Sequence, residues 1–372
     1  MNFIRFVLPG MAMIAVTYGF ARFGYGLLLP EFSRNLGLDT VTSGIIASGS
    51  YFSYCMAIVL STFMTSRLGP RIVIIMAGLT ACLGMFTMAI SHHPGMFALG
   101  VWMAGASTGL ASPPYAAVVS QKISKGLQER ANTWINSGTG LGIIISGPTA
   151  LFFAGHWRIA YILFALLALL VLFWNAVVLP AEEKGKREKV SYSSFIRKGL
   201  LPLFLASLII GTASASYWTF SRGYLVHEGQ HSDWVTSGFW IVIGISGILG
   251  GIAGNIIQQI GLFRSYRFGV FTLALSILLL PVFLENVLFV YLSAFLFGVA
   301  YIYLTGVLLV WGIRVFPKQT ATGIGLPFLT LALGQVIGSP TAGMVADRWD
   351  FSFMFILFAV AGTMGTLIKP SK

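Results

Sequence analysis

Arg22 is the ionisable residue that the sequence places well inside an apolar stretch, in the run Tyr18-Gly-Phe-Ala-Arg22-Phe-Gly-Tyr25. A guanidinium presents paired, planar N–H donors that match a carboxylate or a carbonyl-rich solute. Keeping it in apolar surroundings is costly unless water, a partner or a bound anion answers it. Two readings follow: a group that binds an anionic or carbonyl-rich solute, or a pin to backbone carbonyls or a neighbouring helix oxygen. Aromatic residues recur in the same part of the chain, namely Tyr18, Tyr25, Tyr51, Tyr54 and Tyr115. The second half adds Tyr217, Trp218, Tyr301 and Tyr303, and Asn136 is a further polar candidate. Such rings can pack and hydrogen-bond a solute, or they can sit at the membrane interface.

Acidic residues mark a contrast. No Asp or Glu falls in the interior of an apolar span; Glu31 and Asp347 lie at span ends, where helix caps and rim ion pairs compete with a coupling role. A cation without a buried anion disfavours cationic solutes by Coulomb's law. The histidines His92, His93, His156, His227 and His231 gather near one face. His227 and His231 have i, i+4 spacing, but loop histidines are ordinarily solvated, so no metal is expected. Cys55 and Cys82 lie mid-span and imply no disulfide. No nucleophile with its base, His-Glu metal set or phosphate loop occurs, so neither an enzyme nor a cofactor is expected.

The elements that must position these residues are membrane helices. Of 372 residues, 56% are hydrophobic and 9% charged, against roughly 25% charged in soluble domains. Apolar surface on that scale must face lipid, and runs of about 20 residues select helices over barrel strands. The spans are 6–30, 42–66, 71–91, 96–121, 131–154 and 158–180, then 200–222, 235–259, 266–284, 286–314, 320–346 and 351–368. Glycine is abundant, at 43 residues, as close helix contact in lipid requires. Net charge is +12, and all but Arg22, Arg34, Arg158, Arg222 and Arg348 of the 23 Lys and Arg fall on one side. That asymmetry puts both termini in the cytoplasm of a multi-pass cell-membrane protein and argues against nucleic acid.

The chain also repeats itself. Shifting it by 192 residues lays Gly142, Pro148 and Trp157 on Gly334, Pro340 and Trp349, and Gly19, Tyr25 and Gly69 on Gly211, Tyr217 and Gly261. Arg22 falls on Ser214 and Glu31 on Gly223. The polar segment 181–198 divides the copies, giving an N-terminal six-helix bundle (1–180), a cytoplasmic linker (181–198) and a C-terminal six-helix bundle (199–372). Paired bundles are a recurring plan of secondary transporters.

Between spans two and three the sequence reads Thr62-Phe-Met-Thr-Ser66-Arg67-Leu-Gly69-Pro-Arg71, and span five carries Gly138-x-Gly140-x-Gly142-x4-Gly147-Pro148. The first resembles the loop signature of the major facilitator superfamily, and the second that family's glycine-rich antiporter signature, here closed by Leu151 and Phe152. Thr62 and Ser66 depart from the family's Gly and Asp. The Arg-Phe-x-Tyr run followed by Leu-Pro in span one resembles a bacterial sugar-efflux or cyanate-permease-like branch.

The resemblance implies an all-α integral membrane fold of 12 transmembrane helices in two pseudo-symmetric six-helix bundles. It further implies alternating access, with Arg67, Gly69, Arg71, Gly142, Gly147, Pro148, Glu31 and Asp347 as coupling or gating residues. Proton-coupled efflux of small anionic or neutral polar solutes by a monomer is the leading expectation. Uptake or exchange of an organic anion, or a non-transporting sensor, are the alternatives.

Overall fold

Backbone N–H and C=O groups have no water to bond in a bilayer core, so each spanning segment must satisfy them internally. The computed structural model, which describes residues 3–153, 155–179, 199–317 and 320–369, does so with helices throughout. In chain order they are α1 (Phe3–Leu36), α2 (Thr40–Leu68), α3 (Pro70–Ile90), α4 (Pro94–Lys122), α5 (Gln128–Asn136 and Gly138–Phe152) and α6 (Trp157–Val178). They continue as α7 (Leu200–His227), α8 (Asp233–Ile260), α9 (Leu262–Val282), α10 (Val287–Val315), α11 (Thr320–Arg348) and α12 (Phe351–Leu367). Among the described residues, 9 of these segments are long and apolar enough to cross a membrane by length and composition alone. The outward-facing side chains are large and apolar, Phe52, Met56, Phe173 and Val177 among them, as lipid contact demands.

Contacts divide the chain into two compact units, Met1–Leu38 with Gly49–Val190, and Asp39–Ser48 with Ser191–Lys372. The first residues of α2 cluster with the second unit. The proposed linker 181–198 lies outside the described residues.

Several span ends differ from the hydropathy reading for a common reason. Hydropathy falls where charge appears, yet the helix continues. α1 runs past Glu31 to Leu36, and α7 runs past Arg222 to His227. Pro113 and Pro114 do not interrupt α4. Ser137 separates the two parts of α5.

The 192-residue repeat reappears as geometry inside each unit. In the first, Gly19 of α1 lies against Gly142 of α5 so closely that a Cβ on either would overlap backbone. In the second, a Cβ on Gly334 would lie 3.0 Å from the Gly211 Cα. Gly69 and Gly261, which start α3 and α9, share an extended backbone at positive φ (88° and 82°) that side chains with a Cβ avoid. The tryptophans of the repeat diverge: Trp157 is buried at 1% and Trp349 is 58% exposed.

Asp39, in the turn after α1, accepts a 2.6 Å hydrogen bond from the Thr42 N–H. That bond and the Thr42 hydroxyl hold its carboxyl below the usual carboxylate range. Because the folded-state value is lowered, this stabilisation is present above the ordinary pKa of 3.8 and is lost as pH falls through the lowered value. Asp39→Ala is expected to cost about 1 kcal/mol near neutral pH, read as a lower melting temperature, with the difference vanishing in strong acid. Gly69→Ala is expected to cost on the order of 1–3 kcal/mol in the same assay through backbone strain.

Candidate functional site

Helix α1 is not uniformly wound. Residues Ala15–Phe23 form a 9-residue π-helical segment flanked by α-helical turns. It closes with the Gly24 N–H donating to the Gly19 carbonyl, five residues back. The wide turn rests on the glycine face of α5, where Gly142 meets the Ala15 carbonyl and Gly138 meets that of Met11. The glycine run of α5 thus has a local cause: it lets the α1 backbone approach without a side chain between. Such π segments cost hydrogen-bond geometry and concentrate at functional sites.

Tyr18, Arg22 and Phe23 sit on this segment at i, i+4 and i+5, the spacing that five-residue turns bring onto one face. The Arg22 side chain is 7% exposed. Its guanidinium carbon lies 4.4 Å from the Tyr54 ring centroid, 5.0 Å from Tyr51, 5.5 Å from Phe23 and 5.9 Å from Tyr18. Desolvated cation–π contacts of this kind contribute on the order of 1–2 kcal/mol each, offsetting part of the cost of burial. Tyr18 is itself fixed by a 2.8 Å hydroxyl bond with Ser112 of α4. An aromatic cage around a guanidinium leaves its charge intact while removing bulk water, which strengthens any interaction with an anion.

Arg22 is not the sole ionisable group buried within a span. Glu31 is 8% exposed and Arg222 is fully buried, so the expectation of a single interior charge is corrected. Glu31 lies just past the end of its hydropathy span, and Arg222 is the last residue of its own, with the helix continuing beyond each. Glu31 and Tyr25 are within electrostatic reach of Tyr161 on α6. The Tyr161 hydroxyl is buried without a hydrogen-bond partner among the described residues. Tyr25 joins an aromatic cluster with Phe32 (5.8 Å) and Phe97 (6.2 Å).

The other first-unit candidates disperse. Tyr115 donates a 2.6 Å hydrogen bond to Asn175 Oδ1. Asn175 Nδ2 in turn donates to the Pro9 and Val171 carbonyls at 3.0 and 2.9 Å. This clamp ties α1, α4 and α6 together, and the sequence offered one neglected signal for it: a lone Asn in the apolar α6. Asn136 is exposed. Arg71 donates to the Ala176 carbonyl at 2.8 Å, near the C-terminal end of α6, where unsatisfied carbonyls favour a cation. Arg67 lies over the Phe63 ring at 3.9 Å, and the Ser66 hydroxyl donates to its own helix at Phe63.

In the second unit, Tyr217 stacks on Phe297 at 3.8 Å and bonds Ser293 at 2.7 Å. Trp218 meets Tyr301 and Trp240 edge-on at 5.2 and 5.8 Å, and Gln335 donates to the Tyr301 hydroxyl at 3.3 Å. Tyr303 packs apart, against Phe268. Asp347 is exposed. His231 Nε2 donates to the Leu284 carbonyl at 2.6 Å, and no group of three or more His, Cys, Asp or Glu side chains converges as a metal site among the described residues.

Comparison with known proteins places this geometry. The sequence model of the Major Facilitator Superfamily matches residues 11–326. The transcription regulatory protein OpdE of Pseudomonas aeruginosa is 26% identical over 365 residues, covering 93% of this chain and 89% of OpdE. Among solved structures, the nucleoside transporter NupG superposes with a TM-score of 0.78 at 14% identity, covering 99% of this chain and 98% of that one. A POT family transporter in complex with a thioalcohol-conjugated peptide gives 0.81 at 14% identity, covering 97% and 94%.

The hydrogen bonding of Tyr115 makes it part of the scaffold. Tyr115→Phe is expected to lower stability by about 1–2 kcal/mol, because Asn175 keeps a buried acceptor without its donor. A falling melting temperature with unaltered solute affinity is the expected pairing.

Proposed function

We propose, because this chain belongs to the Major Facilitator Superfamily, that it is a secondary active transporter working by alternating access on a small anionic or neutral polar solute. The observation that carries this reading is Arg22, a desolvated cation at 7% exposure ringed by four aromatic side chains on the π-wound part of α1. In this reading Arg22 orients the solute's acidic or carbonyl group, and Tyr18, Tyr51 and Tyr54 pack it. Trp218 and Tyr301, which meet edge-on within the second unit, are further candidate solute contacts.

The same reading covers direction and coupling. Efflux driven by protons leads, with Glu31 as the coupling carboxylate and the Gly142, Gly147 and Pro148 run of α5 allowing α1 to shift. Uptake or exchange of an organic anion uses the same Arg22. The basic side of the chain faces the cytoplasm of a plasma membrane, with both termini there, and a monomer suffices. No reaction chemistry is assigned.

A second reading, a membrane sensor that does not transport, is favoured by one observation: the regulatory name of OpdE, a relative across 93% of the chain.

The deciding experiment is a solute screen in proteoliposomes with and without an imposed pH gradient. Carboxylate-bearing solutes are expected to accumulate or exit with the gradient. Arg22→Ala is expected to weaken their binding on the order of 10- to 100-fold, the scale of a lost charged hydrogen bond. Full affinity in Arg22→Ala would remove that residue from the site; saturable binding without flux would favour the sensor.

A further inference from the structure

We propose that the exposed surface shared by α3 and α6 is a site for an anionic phospholipid, with its acyl chains along the two helices and its headgroup phosphate on Arg158. The site lies within the first unit. It depends neither on the solute carried nor on the direction of transport.

Three contacts fix the register of α3 on α6. Arg71 Nη2 donates to the Ala176 carbonyl at 2.8 Å. A Cβ on Gly78 would lie 3.1 Å from the Leu172 Cβ. Arg158 Nη2 donates to the Ser91 carbonyl at 2.8 Å. As the α3 position advances from 71 to 91, its α6 partner falls back from 176 to 158, so the helices run antiparallel and in contact along their length.

That register aligns two apolar stripes. Ile90 stands level with Ile159, Leu83 with Leu166 and Leu79 with Leu170, and all six side chains are exposed. At about 100° per residue, each stripe is centred about 100° from the seam, in the same rotational sense on both helices. In an antiparallel pair, equal rotations of the same sense bring both stripes to one side. The result is a continuous apolar track two helices wide and, over 79–90, about 16 Å long. That is about half the hydrocarbon thickness of a bilayer, the depth of one leaflet.

The charge at the end of the track selects among lipids. Arg158 immediately precedes Ile159 and bridges the seam to Ser91. A guanidinium has five N–H donors. Two of those on Arg158 are engaged, one with the Ser91 carbonyl and one with Asn35 Oδ1 at 3.5 Å. Its carbon lies 4.3 Å from the Trp157 ring centroid. The planar group is thus held in place, while further Nη hydrogens remain for a phosphate, whose oxygens a guanidinium matches in pairs. α6 begins at Trp157, so the positive end of its dipole lies at the same level. His92, exposed and next to Ser91, adds an imidazole. The acids near this end offset little of that charge, because Glu31 is buried and Asp39 is engaged by Thr42.

The test places the purified full-length chain in phosphatidylcholine nanodiscs that contain phosphatidylglycerol with a diazirine in its acyl chain. Adducts are mapped by peptide mass spectrometry. Labelling of 79–92 and 157–170 is expected to exceed that by phosphatidylcholine with the same chain about fivefold, the scale of one arginine near an anionic headgroup. Arg158→Gln is expected to abolish the preference and also to melt lower, because it loses the Ser91 bond. His92→Glu removes no hydrogen bond printed by the fold among the described residues and sets a negative charge beside the headgroup. It is expected to reduce the preference by at least about half while melting within about 1 °C of the parent, so it decides the question should Arg158→Gln fail to fold. Arg348→Gln, in the second unit, is expected to leave the ratio unchanged. Equal labelling by the two lipids, or a preference that survives both first-unit substitutions, overturns the proposal. So does loss of the preference on adding excess inorganic phosphate at constant ionic strength, which would assign Arg158 to a soluble anion.

Discussion

Where α1 crosses α5, two backbones meet with no side chain between them, Gly19 on Gly142. Most of the first unit's functional geometry depends on that approach. It gives the wide π turn of 15–23 a surface to rest on, and the π turn brings Tyr18, Arg22 and Phe23 to one face. A side chain at either glycine would push the helices apart and take the cation away from Tyr51 and Tyr54. In lipid, where apolar surface gives little reason for helices to associate, such close backbone contact is itself a source of attraction.

The repeat copies the scaffold and leaves the chemistry unique. Gly211 and Gly334 reproduce the crossing in the second unit, and Gly261 reproduces the backbone of Gly69. Ser214 stands where Arg22 would be and donates to its own helix at Gly211, 3.0 Å away. The caged cation belongs to the first unit, and the shared frame carries a serine at the matching position of the second. The divergence of Trp157, buried, and Trp349, exposed, follows the same pattern.

Much of the fold was legible in the sequence because lipid writes itself into composition. Long apolar runs, their glycine content and the 192-residue register each had a physical cause that acts locally. Helix ends were less legible, since hydropathy reports contact with lipid and a helix can continue through charged, protein-covered turns. That is why the burial of Glu31 and Arg222 escaped it. The Arg22 site was half legible: its charge stood out, but the cage required knowing that Tyr51 and Tyr54 of α2 face a π-wound helix. The Tyr115 hydroxyl bonds Asn175, a contact 60 residues away in sequence that no local pattern encodes.

The winding of α1 also bears on how sequences of this kind are compared. A π segment accommodates one more residue per turn than its α-helical neighbours, so its length and its handing of side chains to one wall or another are linked. A relative lacking a single residue between positions 15 and 23 would keep a helix of nearly the same length while turning its arginine toward a different wall. A one-residue gap there would change what the arginine faces, even where every motif residue is retained.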